Sequence, residues 1–474
     1  MLSRFINDFI SLNNNVLKKI HEINFPYLIL NYPDKFFYNN LPKLKGEYLR
    51  ILVYFLKIIS YFTIRLDCIS KCSKCDILFF SGSFNQYKCL SKIYCRISTK
   101  YKCEFIVKKN FREAYNISSS CIYFKLCIKD IVYVVILFLY RIKQVHNDLL
   151  NINKRLLNSG IDQFLMVHPY IIYSNRLLKK TKPKFIVLSN DHSVFNRCLI
   201  VLSNVYNIKT IYIQHAPISV YYPKLLFDYA FLDGENSLEM YSELKNNDSL
   251  EISNIIKPHI FLSGFIQKSY ISHSINSKFD YGIAINKLDP LDNVVNFINE
   301  INLNKKSFSL RLHPAMNKSS FKNKLKRKLL LTHSKSEIHS AYDKPIDIFF
   351  SSVNSLISGS SAIHLEAAIF GIKSYICSFG SSKFIDTYNF TTKGLCPRIE
   401  CFGDLEKIQK FYCADNNRNE ALKFYSSTYN TQWFRHEERL IEKTLLSLMI
   451  SEDKNCIYQK YQNKYFLNCW IPKN

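Results

Sequence analysis

One stretch constrains the fold more than any other: KFIVLSNDHSVFNRCLIVLSNVYNIKTIYIQHAP, residues 184–217. It reads as a buried strand (Phe185–Leu188), a polar loop (Ser189–Ser193), an apolar helix and a second strand (Thr210–Ile213). Strands joined through a helix run parallel, with the helix crossing over one face of the sheet. The scheme recurs. CDILFFSGS (75–83) and CEFIV (103–107) read as strands, and FDYAFLDGENSLEMYSEL (227–244) as a strand, a turn at Asp233-Gly234 and a helix. It restarts after residues 265–278 with the strand DYGIAIN (280–286), the helix LDNVVNFINEIN (291–302), the strand SFSLRLHP (307–314) and then SLISGSSAIHLEAAIFGIKSYIC (355–377). The expectation is an α/β chain of two parallel-sheet units. Residues 1–70 form a helical N-terminal extension, 71–270 the first unit, and 271–474 the second, closed by one long helix over about Asn419–Met449.

With 47% hydrophobic and 22% charged residues the chain is globular. Its net charge of +26 favours an anionic partner. The basic residues are scattered, and no zinc-finger or RNP pattern is present, so nucleic acid is not the expected partner. No signal peptide is visible at the start, which points to the cytoplasm and to reduced thiols among the 15 cysteines. Cys68, Cys72 and Cys75 cluster but lack a fourth ligand at matching spacing, so no metal site is expected. No segment reaches the roughly 20 apolar residues of a membrane span. IVYVVILFLY (131–140) and YLRILVYFLKIISYF (48–62) suit buried helices; the second suits equally a membrane surface with cations at its rim.

In open α/β sheets, ligands bind beyond the C-terminal ends of the strands. Two features of the second unit belong there. In Arg311-Leu312-His313-Pro314 the proline, lacking an N–H, ends a strand and leaves His313 at the edge, able to donate to a phosphate oxygen with Arg311 adding charge. Gly359-Ser360-Ser361 opens a helix, and helix N-termini bind anions. Glu366, in the first turns of that helix, is placed to accept hydrogen bonds from ribose hydroxyls. Each has a structural alternative: a turn histidine, an N-cap serine and a dipole-stabilised carboxylate. In the first unit Asp191, His192 and His215 follow strands and are candidates for a general base. Asp191 leads, with turn chemistry as its structural alternative.

Two such units with a QHA strand end, an RLHP and an SGSSAIHLEA resemble GT-B glycosyltransferases of bacterial surface polysaccharide synthesis. The likeness is nearest to sialyltransferases, polysialyltransferases and capsule Kdo transferases, which use CMP-activated sugars. Those families carry an HP motif and a Ser/Thr-rich motif, matched here by His313-Pro314 and Ser360-Ser361. They also carry an acidic base in the first domain, for which Asp191 is the candidate. Polysialyltransferases have two acids followed by Gly; here Leu232-Asp233-Gly234 has one acid, and Ser189-Asn190-Asp191 lacks the Gly. The order of motifs also resembles CDP-glycerol glycerophosphotransferases, in which a first-domain histidine is the base, pointing to His215. The resemblance spans about residues 180–410.

It implies a GT-B fold, two Rossmann-like domains facing across a cleft. It implies metal-independent transfer of a CMP-linked sialic acid, other nonulosonic or Kdo-type sugar, with no cofactor beyond that nucleotide-sugar donor. The implied acceptor is a surface glycan or lipid-linked glycan, met at the inner face of the cytoplasmic membrane through peripheral contact with anionic lipid. The alternatives are a glycerophosphotransferase, a UDP-sugar GT-B transferase and a non-catalytic nucleotide-sugar-binding protein.

Overall fold

The computed structural model describes residues 46–473 apart from 63–68, 70–71, 108–124, 153, 219–221, 223, 247–257, 267–277, 287–288, 314–315, 317–324, 326, 330–334, 342, 381–384, 409–414, 451–456, 464–465 and 467. Two sheets form. The first contains β1 (Ile77–Ser81), β2 (Cys103–Val107), β3 (Phe185–Leu188), β4 (Lys209–Ile213), β5 (Tyr229–Leu232) and β6 (His259–Leu262), in the spatial order β2-β1-β3-β4-β5-β6 and all parallel. Every residue of β1 is buried, as parallel strands covered by helices on both faces must be. The second sheet, also parallel, runs β12-β11-β10-β7-β8-β9, with β7 (Phe279–Ile285), β8 (Phe308–Leu312), β9 (Ser336–Ser340), β10 (Val353–Ser358), β11 (Lys373–Cys377) and β12 (Arg398–Ile399). In-register pairing brings the C-terminal ends of neighbouring strands to one edge: Leu188 lies beside Tyr212 in the first sheet, and Ser358 beside Ala284 and Ala284 beside Arg311 in the second.

The expected final helix is two helices, α12 (Asp415–Tyr425) and α13 (Glu437–Ile450). Between them the chain turns through left-handed residues at Asn430 and Arg435. It then leaves the second sheet altogether. A strand β14 (Cys469–Pro472) pairs parallel with β6, and β13 (Tyr458–Tyr461) pairs antiparallel with β14. The end of the 271–474 segment is therefore built onto the first sheet, contrary to expectation. The physical reason is the edge. Without β14, β6 would present unpaired backbone groups. Trp470 adds ring stacking on Phe261 and His259 at centroid distances of 5.3 and 5.4 Å.

A helical layer covers the other end of the first sheet. α1 (Glu47–Phe62) and α3 (Ile128–Ile152) both pack on α4 (Lys154–Leu165), and α5 (Val167–Thr181) follows. The fully buried Asp162 of α4 accepts from Arg50 Nε at 2.8 Å and Lys57 Nζ at 2.7 Å, which fixes α1 to the sheet unit. The two apolar segments expected to be buried helices lie in α1 and α3, but each is buried on one side only. Tyr54, Ile58, Val134 and Leu137 face inward, while Leu52, Leu56, Val132 and Leu139 are exposed.

The chain passes between the units twice, after β6 and between α12 and α13, and the two crossings interlock. Gly264 has φ +77°, and a Cβ there would sit 1.9 Å from Thr428 Oγ1. Phe265 N–H donates to Ser426 Oγ at 3.0 Å, and Ser427 N–H donates to the Asp233 carbonyl at 2.9 Å. Two carboxyl groups are enclosed there. Burial, and then the charge of Glu437, pushes Asp233 well above the carboxylate range. Glu437 is pushed up to about 7 by burial, although its Oε1 accepts from Thr428 Oγ1 (2.8 Å) and Arg435 N–H (3.0 Å). The folded state thus keeps protons that the unfolded chain releases near pH ~4.3, so stability falls as pH rises through about 7. Glu437→Gln should remove the share of this slope that Glu437 contributes. By chemical denaturation the variant should gain about 2 kcal/mol on the wild type between mildly acidic and mildly basic pH; parallel pH profiles would show that Glu437 is not the group.

Candidate functional site

The first-sheet edge is organised by one turn. Asn190 Oδ1 accepts from the N–H groups of His192 (3.1 Å) and Ser193 (2.8 Å), and Ser193 Oγ caps α6 (Val194–Val205) by accepting from Asn196 N–H at 3.3 Å. This tight turn directs Asp191 inward, where it is 2% exposed. Its Oδ2 accepts from Tyr241 Oη at 2.7 Å, and its Oδ1 lies 3.0 Å from His192 Nδ1. Burial first, and then the Asp191 charge, holds the Tyr241 hydroxyl well above the ordinary tyrosine range, so it remains a donor. The His192 ring is about one-third exposed and packs edge-on against Tyr222 at 5.2 Å. Asn190 Nδ2 stands 3.0 Å from His192 Nε2. Asn190 Nδ2 also lies 3.5 Å from Nδ1, so the amide sits beside both ring nitrogens, while the contact with Asp191 is made by Nδ1.

This reverses the expected geometry. An extended loop would have turned Asp191 toward the cleft and His192 away. The turn buries the carboxylate and leaves the imidazole at the surface. His215 lies one strand away, two residues past β4, half-buried beside Phe265 and Ile266 of the first crossing. Its loop is fixed by Gln214, whose Nε2 donates to Ala216 O (2.9 Å) and whose Oε1 accepts from Asp233 N–H (3.0 Å).

Beside this edge is a cavity of about 340 Å³, bounded by the ends of β1 and β2, the start of α6 and the helical layer. Lys57, Tyr61, Phe80, Tyr170, Tyr173 and Phe195 are among its lining, so it is apolar and aromatic with a few polar groups.

In the second sheet, β10 ends at Ser358 and the chain turns through Gly359-Ser360-Ser361 into α10 (Ile363–Phe370). A side chain at 359 would crowd Asp289. A Cβ would lie 2.3 Å from Asp289 Oδ1. Burial pushes the Asp289 carboxyl up to about 6, and its Oδ2 accepts from Asn286 N–H at 2.7 Å. Ser360 Oγ accepts from Thr387 N–H at 3.0 Å, and Ser361 Oγ accepts weakly from Ile363 N–H at 3.4 Å. The helix cap is Ala362, not Ser361, and Ala362 contributes no side-chain bond. Buried His364, pushed down to about 4 by desolvation and hence neutral, holds the Gly359 carbonyl through Nε2 at 3.0 Å.

Arg311 and His313 share one face of β8 and its extension, since side chains alternate. His313 is exposed at the edge, and Pro314 lies outside the described residues. Arg311 sits deeper than expected. Its Nη1 donates to Lys344 O at 2.5 Å, and its guanidinium lies 5.5 Å over Phe349. Burial lowers its pKa, opposed by the charges of Glu366 and Asp347. Glu366, 9% exposed, lies on the same side of α10 as Ile363 and Phe370, which pack near Phe349. The structure therefore brings Arg311 and Glu366 together beneath the His313 edge. Strand order β10-β7-β8 sets His313 two strand spacings from the Gly359 loop, about 9–10 Å across the sheet.

Two supports were not legible as site residues. Tyr241 is 50 positions from Asp191, and nothing local marks it. His364 stood inside the quoted helix motif, but its role depends on a buried carbonyl five residues back.

No family model matches the chain, and no curated protein matches it. Solved structures do. A Listeria monocytogenes protein described as a UDP-N-acetylglucosamine 2-epimerase shares 9% identity, with 81% of this chain and 98% of that one covered and a TM-score of 0.52. A UDP-GlcNAc 2-epimerase of Neisseria meningitidis bound to UDP-GlcNAc shares 12% over 78% and 99%, at a TM-score of 0.48. The glycotransferase of kitacinnamycin shares 10% over 80% and 99%, at 0.43.

If the Gly359 contact shapes this loop, Gly359→Ala should lower stability by about 1–3 kcal/mol through overpacking. Asp289→Ala in the same chain should recover most of that loss in thermal melts; an additive pair would mean that the contact is not the cause. The Listeria likeness, with the two parallel sheets, shows the fold to be GT-B: two Rossmann-like domains facing across a cleft.

Proposed function

We propose that the chain is a glycosyltransferase that moves a sugar from a cytidine nucleotide to a hydroxyl of a surface-glycan acceptor without a metal ion. One observation carries the reading. An imidazole backed by a buried carboxylate stands at the C-terminal edge of the first sheet, and a serine-lined helix mouth stands at that edge of the second. His192 Nε2 takes the acceptor proton as the hydroxyl oxygen bonds to the anomeric carbon. The bond from that carbon to the phosphate oxygen breaks, and the nucleotide leaves with its added charge. Asp191 orients the ring and stabilises the imidazolium, and Tyr241 holds Asp191. His313, Ser360, Ser361 and the α10 N-terminus receive the phosphate, and Glu366 the ribose. Positive groups at that position supply the stabilisation that a metal supplies in other transferases.

Cytidine, and a sialic, other nonulosonic or Kdo-type sugar, rest on the HP and Ser-Ser motifs. A second reading is a uridine nucleotide-sugar enzyme, as the Listeria neighbour is described. A thermal-shift series with CMP, CDP, UMP, UDP and GDP separates them, because a ligand at 100 times its Kd adds about 2.7 kcal/mol of stability. A response to UDP alone moves the donor to uridine. A response to none removes the nucleotide reading, and nucleotide binding without transfer leaves a binding protein.

His313→Ala should weaken nucleotide binding with the melting temperature kept. His192→Ala and Asp191→Asn should each lower turnover by about 10²- to 10⁴-fold with donor binding nearly unchanged. Tyr241→Phe should cost less. Normal turnover in both first variants and collapse in His215→Ala would move the base to His215 and the family reading to glycerophosphate transfer. Activity abolished by EDTA and restored by manganese would refute the metal-independent mechanism.

A further inference from the structure

Exposed apolar side chains are concentrated in one place. Among the described residues, twelve of the seventeen large hydrophobic side chains that are exposed belong to α1 and α3. On α1, Leu49, Leu52, Leu56 and Ile59 recur at spacings of three and four, which is one stripe of a helix. On α3, Ile128, Val132, Val135 and Leu139 repeat the spacing. The helices lie side by side and antiparallel: His146 Nδ1 meets Glu47 Oε1 at 2.7 Å, and Phe138 stacks on Tyr54 at 5.8 Å. Both pack on α4, so the sides turned away from α4 look outward together. Leu52, Leu56, Val132 and Leu139 are each more than half exposed.

The charges around this face have one sign at its surface. Lys129 and Lys143 are exposed and Arg141 is half-exposed, whereas the Lys57 ammonium turns inward to Asp162. The carboxylates of these helices are withdrawn. Glu47 is engaged by His146, Asp130 is buried against Arg176 at 3.3 Å, and Asp148 is half-buried near the far end of α3. Tyr48 and Tyr140, both exposed, are amphipathic residues suited to a headgroup layer. We propose that the α1–α3 face docks on an anionic lipid bilayer, with Leu52, Leu56, Val132 and Leu139 entering the acyl boundary and Lys129, Lys143 and Arg141 meeting the headgroups. A second copy is disfavoured as occupant, because a two-fold contact would bring two patches of the same positive sign together. No described helix is long and apolar enough to cross a membrane, so contact here is from the surface.

This deepens the transferase reading by naming the carrier of its acceptor. Lys57 and Tyr61 of α1 also line the aromatic cavity beside His192.

The test is flotation of the full chain with phosphatidylcholine vesicles, with and without phosphatidylglycerol, in the absence of nucleotide. Binding should require the anionic lipid and fall with salt. Leu52→Glu with Leu56→Glu, and separately Leu139→Glu, should weaken it about tenfold or more with melting temperature and nucleotide-induced thermal shift kept. Wild-type protein that ignores both vesicles, or variants that float as well as wild type, would overturn the proposal. So would variants that lose a dimer seen by light scattering, which would make the face a self-interface, or variants that unfold, which would mean that the chain itself covers it. Because nucleotide binding is read separately, vesicle binding can fail while the transferase reading stands, and the reverse.

Discussion

The architecture depends on the pairing of β14 with β6. That one parallel contact returns the end of the chain to the sheet where it began. It obliges the backbone to pass between the two units twice and not once. The two passages then pack on each other closely enough that Gly264 has no room for a side chain. A single linker would leave the units free to tumble, whereas two interlocked linkers define an axis. The carboxyl groups of Asp233 and Glu437 lie at that axis, enclosed and biased toward their protonated forms.

The reading of the first-sheet edge turns on a local competition. Asn190 offers the backbone a side-chain acceptor, and the chain folds into a compact turn around it. Asp191 is then carried into the interior, where only paired carboxylates are tolerated. Tyr241 and His192 are its partners. The outcome is a carboxylate enclosed in the fold and an imidazole placed by it that is about one-third exposed. In the second sheet Asp289 fills the space that a side chain on residue 359 would enter.

Much of the central architecture was legible. Cys103–Val107 and Phe185–Leu188 are legible to the residue, because buried parallel strands are short apolar runs bounded by polar loops. Ser336–Ser340 and Cys469–Pro472 were not read as strands. SEIHS is polar and lies at a sheet edge, and CWIP ends in a proline that argues against a strand unless tertiary pairing supplies one. The apolar content of residues 131–140 was visible, but which half of the helix faces the protein was not, since that depends on α4. At the site, residue types and strand ends were legible. The inward turn of Asp191 and the depth of Arg311 were not, because both follow from contacts with Tyr241, Lys344 and Phe349 made across the fold.

The returning strand also decides how the protein can be divided. The second unit is one continuous piece of chain, from β7 to α12. The first is not. A fragment that stops after β6 keeps its nucleus but exposes the β6 edge and the aromatic surface of Phe261 that Trp470 covers. Such a fragment presents a template for strand addition by any neighbour. During synthesis the first sheet waits with that edge open until the whole second unit has been made, so the inserted unit works as a delay built into the first unit's own assembly.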